Sequence, residues 1–496
     1  MKARLKNKIF QSRDLCLSTL GTNSACAKSV RGNEDKMTRR SNMKIFVVGG
    51  GEIGKNLAVQ LSHDGYEITV IDREENVVNT MSNSADVICF QGNGASYGTL
   101  KDAGASEADI FISVTESDEL NILSCMTAHM MGAKHTIARI RDVDYARQNK
   151  FYKSKLGISM IINPELATAM EIFRLLRFPL ATRVEVFAGG RAELVEMTVG
   201  KAAPLDGKSL IEINQNMGIN LLICAVVREG EAFVPTGHTV LKGGDILYLT
   251  GAAEEFRKSF KKLGLPVKPL QSVLIAGGGR ISYYLAETLS RQGAKVTMIE
   301  KNSELARKMS EELPGAAVMC DDALAYFDSM SDTDISNTDA FIAITDNDEY
   351  NLVAAMYAES RNINKVVSRI GAKSRLKVLK SDSRICSISR EDVAADRILG
   401  YSRSLLNAED NDAVESLYRL MDGKIEFIEF KIDGDDPNLE VPLKDLKLKR
   451  DILLGCIIRD GSTIIPHGED MLKAGDTALV ATINRQIARL EDIFAD

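Results

Sequence analysis

One glycine-rich turn is written twice along the chain, each time between an apolar strand and a helical stretch. Lys44-Ile45-Phe46-Val47-Val48 runs into Gly49-Gly50-Gly51-Glu52-Ile53-Gly54, and Val273-Leu274-Ile275-Ala276 runs into Gly277-Gly278-Gly279-Arg280-Ile281-Ser282. In each copy the next strand ends on an acid, Asp72 and then Glu300. Glu300 follows Asp72 by the same 228 positions that separate Gly277 from Gly49. A lone G-x-G-x-x-G is weak evidence. Strand, turn, helix and closing acid, found twice in register, specify a βαβ unit of a doubly wound parallel sheet.

Each part has a physical task. Gly49 permits the tight turn, Gly51 lets backbone approach a pyrophosphate, and Gly54 lets the helix lie close to the strand, so that phosphates meet the positive end of a helix. Asp72 and Glu300 are placed to accept hydrogen bonds from adenosine ribose hydroxyls. An acid there repels a 2′-phosphate, which favours NAD(H) or adenine nucleotides over NADP. In the second copy Ser282 replaces the third glycine and loosens the packing slightly. Arg280 replaces Glu52 and is able to reach a phosphate.

At 496 residues the chain has room for three or four domains at roughly 150 residues each, and the repeat favours an even number. Residues 1–42 hold ten Lys/Arg against three Asp/Glu, so that residues 43–496 carry a formal −14 within the total of −7. So acidic a body is a poor partner for nucleic acid or anionic lipid. The eight cysteines show no C-x-x-C and no zinc spacing, and they read as small buried residues in a reducing compartment. The five histidines form no spaced pair. No run approaches the ~18 apolar residues of a membrane span, which predicts no direct membrane insertion. Residues 1–42 are polar and basic without the apolar stretch of a secretory signal, and are expected to be a disordered leader, with an overcalled start codon as the simple explanation and an Arg-rich organellar transit peptide as the alternative.

Short β-branched strands alternate with helical stretches through the first half, at Glu67–Asp72, Asp86–Phe90, Ile110–Val114, Thr136–Ile140 and Met160–Ile162. Val114-Thr115 to Asn121 recurs as Ile344-Thr345 to Asn351, and Arg139-Ile140 as Arg369-Ile370. After Asn163-Pro164-Glu165, an N-cap, a first-turn proline and a first-turn acid, a helix is expected to about Phe178. Beyond it, Arg228-Glu229-Gly230 and Leu241-Lys242-Gly243-Gly244-Asp245 match Arg459-Asp460-Gly461 and Leu472-Lys473-Ala474-Gly475-Asp476. Glu229-Gly230 and Asp460-Gly461 are hairpin signals. The fold class is therefore α/β: two Rossmann-like doubly wound parallel-sheet domains, each followed by a small α+β domain. The expected boundaries are a leader 1–42, nucleotide-binding domains 43–180 and 271–408, and small domains 181–267 and 413–496.

These motifs together resemble a known family. Strand-GGGEIG, Asp72, Gly92-Asn93-Gly94-Ala95-Ser96, Val114-Thr115 to Asn121, Arg139-Ile140-Arg141 and Asn163-Pro164-Glu165 look like the RCK/KTN domain. The small domains resemble the TrkA-C module, and the tandem order over residues 43–496 is similar to the TrkA-type regulatory subunits of Trk potassium uptake systems. The resemblance implies a ring of such domains, hence a homo-oligomer, docked under a potassium-translocating membrane subunit. It places the protein in the cytoplasm, peripheral at the inner face of the plasma membrane. NAD(H) or ATP/ADP would shift the ring between states without chemistry. It lines the first site with Gly49, Gly50, Gly51, Glu52, Ile53, Gly54, Asp72, Asn93, Gly94 and Thr115. The second is lined with Gly277, Gly279, Arg280, Ile281, Glu300, Asp321 and Thr345. No catalytic residue and no metal ligand is implied.

Plainer readings stand beside these. Asp118, Glu119, Asp348 and Glu349 are expected to cap helices rather than line the cleft mouth, Glu165 has sufficient reason as a first-turn acid rather than as a cation ligand near the nucleotide, and Met126, Met130 and Met131 read as core or oligomer contacts rather than a cofactor box. A dehydrogenase would need a proton-transfer residue facing the nicotinamide; no matched His or Tyr recurs in the two small domains, and the matched Lys242 and Lys473 belong to the repeated glycine turn. A nucleotide sensor of another cation transporter is the other alternative.

Overall fold

The computed structural model describes residues 43–142, 151, 155–178, 180–200, 203–217, 219–265, 270–371, 384–409, 414–421, 424–432, 438–483, 487 and 490–495. The chain divides into two compact units, Met1–Ile161 and Ile162–Asp496.

The first unit is built on β1 (Lys44–Val48), α1 (Glu52–His63), β2 (Glu67–Asp72), α2 (Glu75–Ser84), β3 (Ile88–Gln91), α3 (Tyr97–Ala103), β4 (Ile110–Ser113), α4 (Asp118–Met131), β5 (His135–Arg139) and β6 (Met160–Ile162). Its strand order is β3-β2-β1-β4-β5-β6, with β1 in parallel register against β2 and β4. Central parallel strands are covered on both faces and therefore read as unbroken apolar runs. Ile45, Val47, Ile110, Phe111 and Ile112 are accordingly fully enclosed.

The second unit opens with α5 (Pro164–Arg177), followed by β7 (Ala181–Phe187), β8 (Ala192–Thr198), α6 (Leu210–Met217), β9 (Leu222–Arg228), β10 (Glu231–Phe233), β11 (Ile246–Gly251) and α7 (Ala253–Lys262). The second parallel sheet comprises β12 (Ser272–Ala276), α8 (Arg280–Arg291), β13 (Lys295–Ile299), α9 (Ser303–Glu312), β14 (Ala316–Met319), α10 (Ala323–Ser329), α11 (Asp332–Ser336), β15 (Ala340–Ala343), α12 (Asp348–Ser360), β16 (Lys365–Arg369) and β17 (Ile385–Ile388). After α13 (Arg390–Glu409) come β18 (Val414–Leu420), β19 (Ile425–Lys431), β20 (Ile452–Arg459), β21 (Ser462–Ile464) and β22 (Thr477–Ile483).

The second parallel sheet repeats the first order as β14-β13-β12-β15-β16-β17. The two antiparallel sheets, β7-β8-β11-β9-β10 and β18-β19-β22-β20-β21, also share one topology. Both hairpin signals hold: Glu229 and Gly230 have φ of 51° and 83°, Asp460 and Gly461 of 49° and 81°, the paired positive values of a type I′ turn. The repeated Arg and Asp of these domains form a bidentate pair. Arg228 Nε and Nη2 lie 2.8 and 2.7 Å from the Asp245 oxygens, and Arg459 reproduces this on Asp476. The two antiparallel sheets share one core, in which Phe187, Leu194, Cys224 and Tyr248 meet Leu420, Phe427, Cys456 and Leu479.

Candidate functional site

Both glycine turns sit where the strand order reverses, at the carboxyl ends of β1 and β4 in one sheet and of β12 and β15 in the other. Gly49 has φ 98°, and a Cβ there would stand 3.1 Å from Thr115 N; Gly277 has φ 107°, and its Cβ would stand 3.1 Å from Thr345 Cα. Only glycine combines that dihedral with that approach. A Cβ on Gly54 would fall 1.9 Å from the Gly49 carbonyl oxygen, so the helix crosses the turn at backbone contact. Ser282 occupies the matching place, fully buried, with no partner for its Oγ among the described residues.

Gly51 and Gly279 differ from these. A Cβ at either would meet nothing within 4 Å. They are the N-caps of α1 and α8, and no side chain caps either helix. Helix-start N–H groups thus face open space, the arrangement that receives an anion. Ile53 and Ile281 turn inward at 5 % and 4 % exposure, so they offer a ligand only backbone. Glu52 and Arg280, by contrast, are exposed.

The closing acids hold the loops they follow. Asp72 Oδ2 accepts from Gly50 N at 2.7 Å and Oδ1 from Glu74 N at 2.9 Å; Glu300 Oε2 accepts from Gly278 N at 2.6 Å and Oε1 from Asn302 N at 2.8 Å. Each oxygen keeps a second lone pair for a hydroxyl donor. Asn93 Oδ1 accepts from Ala95 N, and a Cβ on Gly94 would fall 2.1 Å from Val48 Cγ1, so this loop lies directly on the end of β1. In the second half Asp321 accepts from Asp322 N, and Asp322 caps α10 while taking a 2.9 Å bond from Tyr350 Oη.

Thr115 and Thr345 are set by residues outside the expected site. Asn121 is fully buried; its Oδ1 accepts from Thr115 N at 2.8 Å and from Thr115 Oγ1 at 2.7 Å, and its Nδ2 donates to the carbonyls of Thr115 and Arg139. Asn351 repeats all four bonds. The recurrence of Asn121 as Asn351 was visible; its role as an internal brace was not, because asparagine in a helix reads as polar surface.

Several expectations need correction. The N-caps of α4 and α12 are Ser117 and Asn347 rather than the acids that follow them. Asp118 instead accepts from Arg141 N and Asp142 N, and Asp348 from Gly371 N. Glu165 is more than a first-turn acid. It is 5 % exposed, its Oε1 lies 3.4 Å from Arg390 Nη1, and its Oε2 has no partner among the described residues. Of the methionines read as core or oligomer contacts, Met131 packs against the first core and Met130 is 85 % exposed, which leaves it free for the second of those two roles. Cys125, Cys224, Cys386 and Cys456 are buried, but Cys320 is exposed; Cys16, Cys26 and the rest of 1–42 lie outside the described residues. Among the described residues no cluster of three His, Cys, Asp or Glu has metal-binding geometry, and no helix is long and apolar enough to cross a membrane.

The TrkA-N domain family model matches residues 45–164 and 273–387, and the TrkA-C domain model residues 194–264 and 427–495. A Trk system potassium uptake protein TrkA homolog of Archaeoglobus fulgidus is 28% identical over 457 residues, covering 91% of this chain and 100% of that protein. The Trk system potassium uptake protein TrkA of Vibrio alginolyticus is 29% identical over 460 residues, 91% of this chain and 98% of its own. Among solved structures, the GsuK channel aligns with a TM-score of 0.57, and its form bound to NAD with 0.55. Each is 17% identical and covers 89% of this chain and 77% of that one, a likeness of fold.

Proposed function

The chain belongs to the TrkA family of tandem TrkA-N and TrkA-C proteins, and on that premise we propose that it is the nucleotide-binding cytosolic regulatory subunit of a Trk-type potassium uptake system. Its domains are 43–180 and 271–408 for nucleotide, and 181–267 and 413–496 as TrkA-C modules. The observation that carries this reading is the pair of helix starts at Gly51 and Gly279, open and uncapped, each beside a loop whose closing acid is already fixed. NAD(H) fits the first: helix N–H groups take the pyrophosphate, and the free lone pairs of Asp72 take the adenosine ribose. At the second, Arg280 offers a charge-assisted bond to a terminal phosphate, which favours ATP or ADP.

No bond is made or broken. A nucleotide with different affinity for two states of a homo-oligomeric ring shifts their populations, and the ring, peripheral at the inner face of the plasma membrane, gates the potassium-translocating subunit. Calorimetry of the full chain with NADH, NAD, ATP and ADP tests the first step. Two sites of micromolar or tighter affinity are expected, and absence of heat with all four overturns the reading. Sedimentation tests the second: the protein should enter the membrane fraction only when the transport subunit is co-expressed.

A further inference from the structure

Glu165 and Glu391 hold the same place in the two halves, the second residue of α5 and of α13, 226 positions apart. The residue before each differs. Pro164 opens α5, where its missing N–H costs nothing, whereas Arg390 opens α13 at the same interval of 226. A basic group in the first turn of a helix meets the positive end of the dipole. Local helix rules favour the proline and give the arginine no reason, and a broken local rule points to a tertiary task.

The contacts of Arg390 show that task. Its Nε and Nη2 lie 3.0 and 2.7 Å from Glu391 Oε1, and its Nη1 lies 3.4 Å from Glu165 Oε1. One guanidinium thus bridges two equivalent carboxylates. The Glu165 side chain is 7 % exposed and its Oε2 has no partner among the described residues, while Glu391 Oε2 receives a long 3.5 Å bond from Ser389 Oγ. A carboxylate so enclosed needs a counter-charge at hand. Arg369 and Asp346, the charged pair within electrostatic reach, hold each other at 3.2 Å and cancel.

Two converging carboxylates with oxygens left over are a donor set for a hard divalent cation, and Ca²⁺ suits it best because its coordination is flexible in number and angle. In this chain a covalently tethered cation stands there instead. Guanidinium is planar, matched to carboxylates and charged at every working pH. Neither a chelator nor mild acid removes it.

We infer that Arg390 is a resident cation, standing where Glu165 and Glu391 would otherwise hold a divalent metal ion, and that it frees these two helix starts from any need for metal. A single base serves both acids, so the equivalent position in the first half keeps its proline. The assignment is independent of the nucleotide reading, and nucleotide-free protein tests it.

Full-length wild type, Arg390→Gln and the double variant Glu165→Gln with Arg390→Gln are melted in EDTA and in millimolar Ca²⁺. Wild type is expected to melt at the same temperature in both. Arg390→Gln is expected to melt several degrees lower in EDTA and to regain at least half of that loss in Ca²⁺. The double variant loses the buried acid with its counter-charge, so it is expected to melt above Arg390→Gln in EDTA and to gain less from Ca²⁺. An Arg390→Gln protein as stable as wild type in EDTA, one that Ca²⁺ does not rescue, or a Ca²⁺ gain equally large in wild type or in the double variant overturns the proposal. Should Arg390→Gln fail to fold in EDTA, it is expected to fold in Ca²⁺, and failure in both media overturns the proposal as well.

Discussion

Asn163 Nδ2 donates to Tyr284 Oη across 3.2 Å, tying the N-terminus of the first half's long helix to the helix that carries the second glycine turn. Asn163 also caps α5, its Oδ1 accepting from Leu166 N at 2.9 Å. Lys365, 3 % exposed, holds the other end, its Nζ donating to the carbonyls of Phe178 and Ala181. The first half's helix is therefore held at both ends by the second half. Tyr284→Phe removes only the hydroxyl and should cost about 1 kcal/mol in urea unfolding. Wild-type stability in that variant would show the contact to be idle.

The glycines of the first loop should separate into two kinds. Gly51→Asp adds a side chain where nothing lies within 4 Å, so the protein should fold with an unchanged melting temperature while nucleotide binding is abolished. Gly54→Ala forces a methyl to within 1.9 Å of the Gly49 oxygen, and the loop must move at a cost of about 1–3 kcal/mol. If both variants lose stability equally, the distinction between an open cradle and a packing contact fails.

Asp72→Ala removes the acceptor for Gly50 N and Glu74 N as well as the ribose acceptor. Adenosine ligands should weaken by about 1–3 kcal/mol, and discrimination against NADP should fall. Titration of NAD and NADP into both proteins decides this; equal affinities in the wild type would contradict the role of the acid.

Burial pushes the Glu171 carboxyl up to about 7, against the opposing pull of Arg174, Arg397 and Arg183 and with the added repulsion of Glu185. The folded state then binds a proton that the unfolded chain releases near the usual carboxylate value. This contribution is fully present below that value and is lost as pH rises toward 7. Urea unfolding at pH 5 and pH 8 should show wild type losing stability, at up to about 1.4 kcal/mol per pH unit at the steepest, and Glu171→Gln losing less. Parallel profiles for the two proteins would refute it.

The sheets, the hairpins and the glycine turns were legible in the sequence because their causes are local. Gly49 needs its dihedral, Glu229-Gly230 needs two positive φ values, and β1 must be apolar on both faces. What escaped was the work of polar residues whose partners lie far along the chain. Asn121 braces Thr115 across 6 positions but also Arg139 across 18, and Glu165 meets Arg390 across 225. A pattern shows that such a residue recurs; it does not show that the residue is buried, or against what.

The two glycine turns should also differ in ligand, on residues that both lie exposed at a helix start. Glu52 places a negative charge in the first turn of α1, where it opposes a terminal phosphate. Arg280 places a guanidinium at the same position of α8. Charge-assisted bonds are roughly twice as strong as neutral ones, so exchanging this position should shift the preference between dinucleotide and triphosphate. Exchanging Glu52→Arg and Arg280→Glu singly in the full chain, with calorimetry for ATP and NADH on each, should move ATP affinity with the arginine. Glu52→Arg should gain a second ATP site, and Arg280→Glu should lose the only one. ATP affinity indifferent to both exchanges would end the assignment of a division of labour to this position.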